Sequence, residues 1–326
     1  MYITKSQTYY ADSMAFFGLQ GRPPVFDPSQ QPLLSLAHLT SVPPFVKDFD
    51  AVLETHRLFR KQALSNPNVH EIRSRSDLLE KTENIGLLFG MQHAPEGLTL
   101  KRVRQLYDGG IRSMAIAYDS PNEYGHGFRS TGQLTKRGSD LVGWLGECGI
   151  ILDLSHAGYR TAMDAITLIV GESLQTKVMA SHSGCYEVYP HPRNLTDDII
   201  RRIHFLSGYV GIPAITFLIA KKGDAYLEAF ARHIAHATRV CGDSEIIGIG
   251  SDCNHLDMSM EDAHLHFKNM LRMLKTNGTF GEYFPDRPVE VIMHGSCMFD
   301  YFDTVLKWPA NGVLGKNFEN FLARAL

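Results

Sequence analysis

The chain lacks the marks of a nucleic-acid binder, a membrane span or a disulfide scaffold. Its 32 Lys and Arg against 35 Asp and Glu give a net charge of -3, and no basic stripe stands out. That argues against nucleic acid as a main partner. No apolar run approaches the ~20 residues of a membrane span, and no N-terminal segment joins a basic start to a long apolar stretch. Cys148, Cys185, Cys241, Cys253 and Cys297 are odd in number, scattered and without paired metal spacing, so they read as reduced thiols. The expectation is a soluble cytoplasmic protein with no membrane partner. No G-x-G-x-x-G follows an early strand, which leaves a dinucleotide site unsupported. No linker or low-complexity stretch divides the 326 residues, and one domain over 1–326 is expected.

What is present is a run of buried-strand signals. A chain 44% hydrophobic can bury a large core without disulfides. Apolar runs predict eight strands near Met14–Gly18, Leu33–His38, Ile85–Gln92, Ile111–Tyr118, Ile150–His156, Val178–His182, Tyr209–Thr216 and Ile246–Asp252. From the third onward their ends lie 26 to 38 residues apart, the length of a strand–helix–strand unit. Amphipathic segments intervene, such as Leu100-Val103-Leu106-Tyr107 and Ile199-Ile200-Ile203, the latter opened by Thr196 as a cap with Asp197 and Asp198 in the first turn. Eight strands alternating with helices predict an α/β fold, a TIM-like eight-stranded parallel β/α barrel; a doubly wound open sheet is the alternative. Residues 19–32 and 276–290 read as loops, and either could fold over the barrel mouth.

The residues that end these strands are the candidate site: His38, Gln92, Tyr118, His156, His182, Thr216 and Asp252. Such side chains project from one face of a barrel toward a common centre. His156 and His182 offer imidazole nitrogens and Asp252 a carboxylate, a donor set suited to zinc with an open position for water. Asp252 also suits a general base beside the metal, or merely a helix cap. Arg193, on the loop after the second histidine strand, suits a substrate carboxylate, or a surface ion pair. Tyr118 could instead pack on the rim with its hydroxyl wet. His264 and His266, two apart on a predicted helix, face away from each other; His38, His93, His126 and His255 are reserves.

Taken together, Gly90-Met91-Gln92, Leu134-Thr135-x-x-Gly138, Leu152-Asp153-Leu154-Ser155-His156, Ser181-His182-Ser183, His191-Pro192-Arg193-Asn194, Gly248-Ile249-Gly250-Ser251-Asp252 and Leu314-Gly315-x-Asn317-Phe318 resemble the renal (membrane) dipeptidase family of the amidohydrolase superfamily. The matching segments cover about four-fifths of the chain. The resemblance implies a TIM-like barrel with two bridged zinc ions that hydrolyses dipeptides and related amides, in a family whose members are often homodimers. It assigns substrate-carboxylate binding to Arg193, the catalytic aspartate to Asp252 and second-metal ligation to His156 and His182. Three family positions differ. The His-x-Asp pair after the first strand falls on Leu19 and Gly21, the bridging carboxylate on Gln92, and the carbonyl-polarising histidine on Tyr118. Two dications a few ångströms apart need a bridging anion, so the expectation is a single zinc rather than a pair.

The expected function is therefore a dipeptidase-like metal-dependent hydrolase acting on an amide or peptide bond of a small carboxylated substrate. His156 and His182 hold one divalent ion, Asp252 activates water, Gln92 and Tyr118 orient the carbonyl, and Arg193 clamps the carboxylate. A metal-free, catalytically silent barrel that binds a carboxylated metabolite is the alternative. A metal-independent lyase or hydrolase using Asp252 with Tyr118 is a third reading.

Overall fold

The computed structural model describes residues 10–16, 34–80, 82, 84–221, 224–254 and 312–326. Its strands are β1 (Tyr10–Phe16), β2 (Leu34–Thr40), β3 (Val69–Glu71), β4 (Ile85–Met91), β5 (Ile111–Ala115), β6 (Ile151–Asp153), β7 (Val178–Ala180), β8 (Tyr209–Ile212), β9 (Ile247–Ile249) and β10 (Cys253–Asn254). All pair in parallel, in the order β10-β1-β2-β4-β5-β6-β7-β8-β9, with β3 added to the start of β4. β9 pairs with β8, and β10, three residues further on, pairs with β1. The last stave is thus one strand broken at Gly250–Asp252, and it brings eight staves to a nearly closed TIM-like barrel. The helices are α1 (Phe49–Ala63), α2 (Arg75–Leu79), α3 (Leu100–Gly109), α4 (Lys136–Cys148), α5 (Tyr159–Gly171), α6 (Asp197–Phe205), α7 (Thr216–Ile219), α8 (Tyr226–Cys241) and a C-terminal α9 (Asn317–Ala325). None is long and apolar enough to cross a membrane among the described residues.

The strands form where the chain is apolar on both faces, as a sheet covered on both sides requires. Every residue of β4 and β5 is buried. Helix-facing side chains such as Leu87, Phe89 and Met114 join one core with Val103, Leu106, Leu141 and Ile166. Inward-facing Leu36, Leu88, Ile151, Met179 and Tyr209 form a second core, closed from below by Phe318 and Phe321 of α9. Tyr209 packs against these rings at centroid distances of 4.9 and 5.8 Å.

One layer above this apolar floor the barrel is polar. Ser13 Oγ lies 2.6 and 2.8 Å from the carbonyl oxygens of Ser181 and Ile249, within donating reach of either. His38 Nδ1 lies 2.7 Å from the Ser13 carbonyl, and its Nε2 lies 2.6 Å from Ser113 Oγ. Gly90 makes room for that pair, since a Cβ there would lie 2.0 Å from Ser113 Oγ and 2.2 Å from His38 Nε2. His38 therefore ties three strands together inside the barrel instead of ending a strand in the site. Burial lowers its pKa, which suits a neutral structural ring.

Helix ends explain two further motifs. Thr135 accepts from Gly138 N at 3.0 Å and donates to Glu123 O at 2.6 Å, so the Leu134-Thr135-x-x-Gly138 segment is the capped start of α4. Thr196 precedes α6 as expected, but its hydroxyl bonds Asp198 and caps no backbone N–H. The loops expected at 19–32 and 276–290 lie outside the described residues.

Two glycines of α4 separate packing from propensity. A Cβ on Gly138 would lie 1.9 Å from the Tyr124 carbonyl oxygen, whereas one on Gly143 meets nothing within 4 Å. Gly138→Ala is expected to destabilise by about 2 kcal/mol or more through overpacking, and Gly143→Ala to stabilise by up to about 1 kcal/mol. Urea denaturation of both variants checks the sign of each change.

Candidate metal and substrate site

The two histidine strands end early. β6 stops at Asp153 and β7 at Ala180, so His156 and His182 stand on the loops just beyond, at the C-terminal mouth. Both are buried. Their Nε2 atoms lie 3.0 Å apart. Zinc–imidazole bonds of about 2.0–2.1 Å enclosing roughly 95–110° place two nitrogens about 3.0–3.4 Å apart, so this pair fits one shared ion. The same separation suits a ring-to-ring hydrogen bond with one hydrogen in the middle. Burial, and then the nearby Arg193 cation, hold the pKa of both rings well below the usual histidine value. Both rings are neutral at physiological pH, the state a metal ligand needs.

His182 is anchored from behind. Ser181 Oγ donates to Asp153 Oδ2 at 2.5 Å and lies 2.7 Å from His182 Nδ1. With its hydrogen given to the carboxylate, the serine oxygen accepts from Nδ1–H, which leaves the His182 Nε2 lone pair facing His156. His156 is held differently. Its ring stacks on Tyr118 at 4.0 Å between centroids and 21° between planes, and its buried Nδ1 has no hydrogen-bond partner among the described residues. Its backbone has φ +70°. Among the described residues four non-glycine residues have positive φ; Ser173 and Ser207 follow helix ends, and the others are His156 and Asp252. Left-handed backbone at non-glycine residues costs of order 1–3 kcal/mol and persists where the surroundings impose it.

Arg193 lies 3% exposed, with Nη1 donating to Ser183 Oγ at 2.8 Å. Its Nε and Nη2 are buried without partners among the described residues. These two atoms form one edge of the guanidinium, the edge that takes a carboxylate in bidentate fashion. The loop carrying it is pinned by Asn194, which accepts from Gly184 N at 3.0 Å and donates to Tyr189 and Leu218 carbonyls at 2.9 and 2.7 Å. Burial lowers the Arg193 pKa to about 10, partly countered by Asp252, so it stays cationic at neutral pH. Asp252, at the break in the last stave with φ +56°, feels the same field. Its residue keeps some solvent exposure, yet the protein packed around its carboxylate raises its pKa to about 7; Arg193 opposes the rise and Asp12 adds to it. The Tyr118 hydroxyl is pushed well above its ordinary range, mainly by burial.

Between β1 and β4 two neutral side chains meet. Gln92 Nε2 lies 3.2 Å from the sulfur of Met14, which also receives Thr40 Oγ1 at 3.3 Å. Leu19 and Gly21 lie outside the described residues; the β1 side chain that reaches Gln92 is Met14. Thr216 does not end a strand, because β8 stops at Ile212 and Thr216 opens α7. His93 bonds the Val46 carbonyl at 2.8 Å and His126 meets Ser130 Oγ at 3.0 Å, which gives both structural partners. His255, His264 and His266 lie outside the described residues. A further trio, Glu187, Asp197 and His236, comes within ligand reach on the outer surface. There Arg201 approaches Asp197 at 3.4 Å and Arg239 approaches His236 Nδ1 at 3.1 Å, an ion-pair network with the cations already in place.

Sequence reasoning missed Asp153, Ser181, Asp12 and Met14. A charged residue inside a buried run such as Ile151-Leu152-Asp153 was the available signal, because it demands partners from a neighbouring strand.

The profile of the membrane dipeptidase family, Peptidase family M19, matches residues 24–280. An uncharacterized dipeptidase of Schizosaccharomyces pombe is 29% identical over 219 residues, 58% of this chain and 52% of that protein. Dipeptidase verJ of Clonostachys rogersoniana is 34% identical over 157 residues, 46% of this chain and 38% of its own. The chain thus spans about half or less of these curated relatives. Among solved structures, an amidohydrolase from Pseudomonas aeruginosa superposes with TM-score 0.76 at 20% identity, covering 98% of this chain and 96% of that one. A metallo peptidase from Rhodobacter sphaeroides, liganded with a phosphinate mimic of L-Ala-D-Ala, superposes with TM-score 0.72 at 17% identity, covering 98% and 100%. At these identities the structures speak for the fold, and the matched profile, which takes in the barrel from before β2 to beyond β10, places the chain in the membrane dipeptidase family.

Proposed function

We propose that this chain is a metal-dependent hydrolase of the dipeptidase type, acting on an amide or peptide bond in a small substrate that carries a carboxylate. The supporting observation is the pairing of two neutral imidazoles at 3.0 Å with the edge of a buried arginine that has no partner among the described residues. The buried, unbonded His156 Nδ1 and the relayed His182 Nδ1 leave the two Nε2 atoms as the ligands. His156 and His182 would hold a single divalent ion, zinc by this donor set, which would supply Lewis acidity and water activation near neutral pH when bound.

The remaining work falls to the side chains. Arg193 receives the substrate carboxylate on its Nε–Nη2 edge and fixes the register of the scissile bond. Asp252 takes the proton of the attacking water and returns it to the leaving amine, a role its raised pKa suits. Tyr118 and Gln92 donate hydrogen bonds to the substrate carbonyl. A second reading, a silent barrel that binds a carboxylated metabolite through Arg193, is favoured by the neutral Met14–Gln92 contact. Thermal-shift titration separates the two, since stabilisation by zinc belongs to the enzyme and ligand stabilisation indifferent to chelator to the silent barrel.

A dipeptide panel assayed with added zinc and again with chelator is expected to show turnover only with metal. Inactivity across the panel in both conditions counts against the reading. Arg193→Ala is expected to lower kcat/KM about 100-fold or more, chiefly through KM, since a buried charged contact is lost.

With Asp252 as base, kcat/KM is expected to rise with pH and level off above about 7. In the metal-free protein the raised pKa gives a linked stability effect. A carboxyl whose pKa rises from 3.8 to about 7 on folding costs nothing below 3.8, and its penalty grows until pH passes 7. Asp252→Asn is therefore expected to raise Tm at pH 8 and leave it unchanged at pH 4. The gain is on the order of 4 kcal/mol at most. Differential scanning calorimetry at the two pH values checks it.

A further inference from the structure

Two buried aspartates, Asp153 of β6 and Asp12 of β1, make matching hydrogen bonds to a serine of the neighbouring stave. Asp153 Oδ1 accepts from Ser155 N at 2.9 Å and Ser181 N at 3.0 Å, and its Oδ2 accepts from Ser181 Oγ at 2.5 Å. Asp12 Oδ1 accepts from Met14 N at 3.0 Å and Ser251 N at 2.8 Å, and its Oδ2 accepts from Ser251 Oγ. In each case one oxygen takes the amide two residues along its own chain and the amide of a serine on the neighbouring stave. The other oxygen takes that serine's hydroxyl. Both aspartates and both serines are buried, at 0–1% exposure.

The serine so gripped stands immediately before a side chain of the mouth, Ser181 before His182 and Ser251 before Asp252. At Ser251 the grip bridges the break in the last stave, where β9 has ended and β10 has not begun. Asp252 N then reaches Met14 O at 2.9 Å with its backbone in the left-handed region. At Ser181 the same hydroxyl continues to His182 Nδ1 and sets which nitrogen carries the hydrogen.

We infer that Asp153 and Asp12 are paired positioning residues, one fixing the tautomer and aim of His182 through Ser181, the other fixing Asp252 through Ser251. The inference rests on the roles proposed above for His182 and Asp252. It adds a division of labour: cutting one clamp loosens metal binding, and cutting the other loosens the proton-transfer carboxylate.

The serine hydroxyls are the gentlest cut, because the aspartates keep their backbone partners in Ser181→Ala and Ser251→Ala. In the metal-free protein, nitrogen NMR of the histidine rings is expected to show His182 with its hydrogen on Nδ1. Ser181→Ala is expected to lose that preference and weaken zinc binding by roughly 10–100-fold, with Ser181→Thr restoring both. Ser251→Ala is expected to leave the tautomer and the zinc affinity within about twofold, to speed amide exchange at Asp252, and to lower kcat about tenfold or more at nearly constant KM. An unchanged His182 tautomer in Ser181→Ala, or equal effects of both variants on zinc affinity, overturns the inference. If the parent protein takes up no zinc but the tautomer and exchange effects appear, the clamps stand and the hydrolase reading falls.

Discussion

The mouth of this barrel depends on two imidazoles meeting at 3.0 Å in a place where burial disfavours the protonated form of either ring. Burial removes the water that would stabilise an imidazolium, and the Arg193 guanidinium adds repulsion from close by. A histidine pair on a protein surface would turn cationic in mild acid and part. Here the lone pairs stay available across the physiological range, and the fold supplies the aim. The rings are held by unlike means. A serine–aspartate relay holds His182, and a stacked tyrosine with a strained backbone holds His156.

That arrangement exists because the barrel interior is layered. The apolar floor of Leu36, Leu88, Ile151, Met179 and Tyr209, plugged by Phe318 and Phe321, supplies burial energy without side-chain polar demands beyond one tyrosine hydroxyl, which bonds the Ile249 carbonyl at 3.3 Å. The polar layer above it places Ser13, His38, Ser113, Asp153 and Ser181 within hydrogen-bond reach of one another or of strand carbonyls. Half-satisfied buried networks are unstable, and fully satisfied ones fix a single geometry. Unsatisfied among the described residues near the mouth are His156 Nδ1, the Nε and Nη2 atoms of Arg193, and His93 Nδ1 beside Gln92. The clamp layer is complete, whereas the layer holding His156 and Arg193 keeps unsatisfied polar atoms among the described residues.

The eight staves were legible because each is a short apolar run, and parallel strands covered on both faces leave that trace. Their ends were less so. The runs Ile111–Tyr118 and Ile150–His156 continue as buried loop after the ladder stops, and burial alone does not distinguish the two. β3 and β10, three and two residues long, carry no periodic signal. The first stave was displaced: the apolar Met14–Gly18 run suggested a later strand, whereas β1 begins at Tyr10 and carries Asp12 and Ser13 into the interior. That displacement put the expected ligand pair at Leu19 and Gly21 and hid the Met14 contact with Gln92. His156, His182 and Arg193 were legible by position after strands. A charge inside a buried run marked Asp153 as needing partners, but which partners Asp153 and Asp12 take was not legible, since they lie 28 and 239 residues away in the chain.

The most direct measurement is anomalous scattering at the zinc edge from crystals of the zinc-loaded protein. The account predicts one peak per chain in the barrel mouth, about 2.0–2.1 Å from both His156 Nε2 and His182 Nε2. Two peaks in the mouth, or rings swung apart with the ion held only by Glu187, Asp197 and His236 on the outer surface, would contradict it.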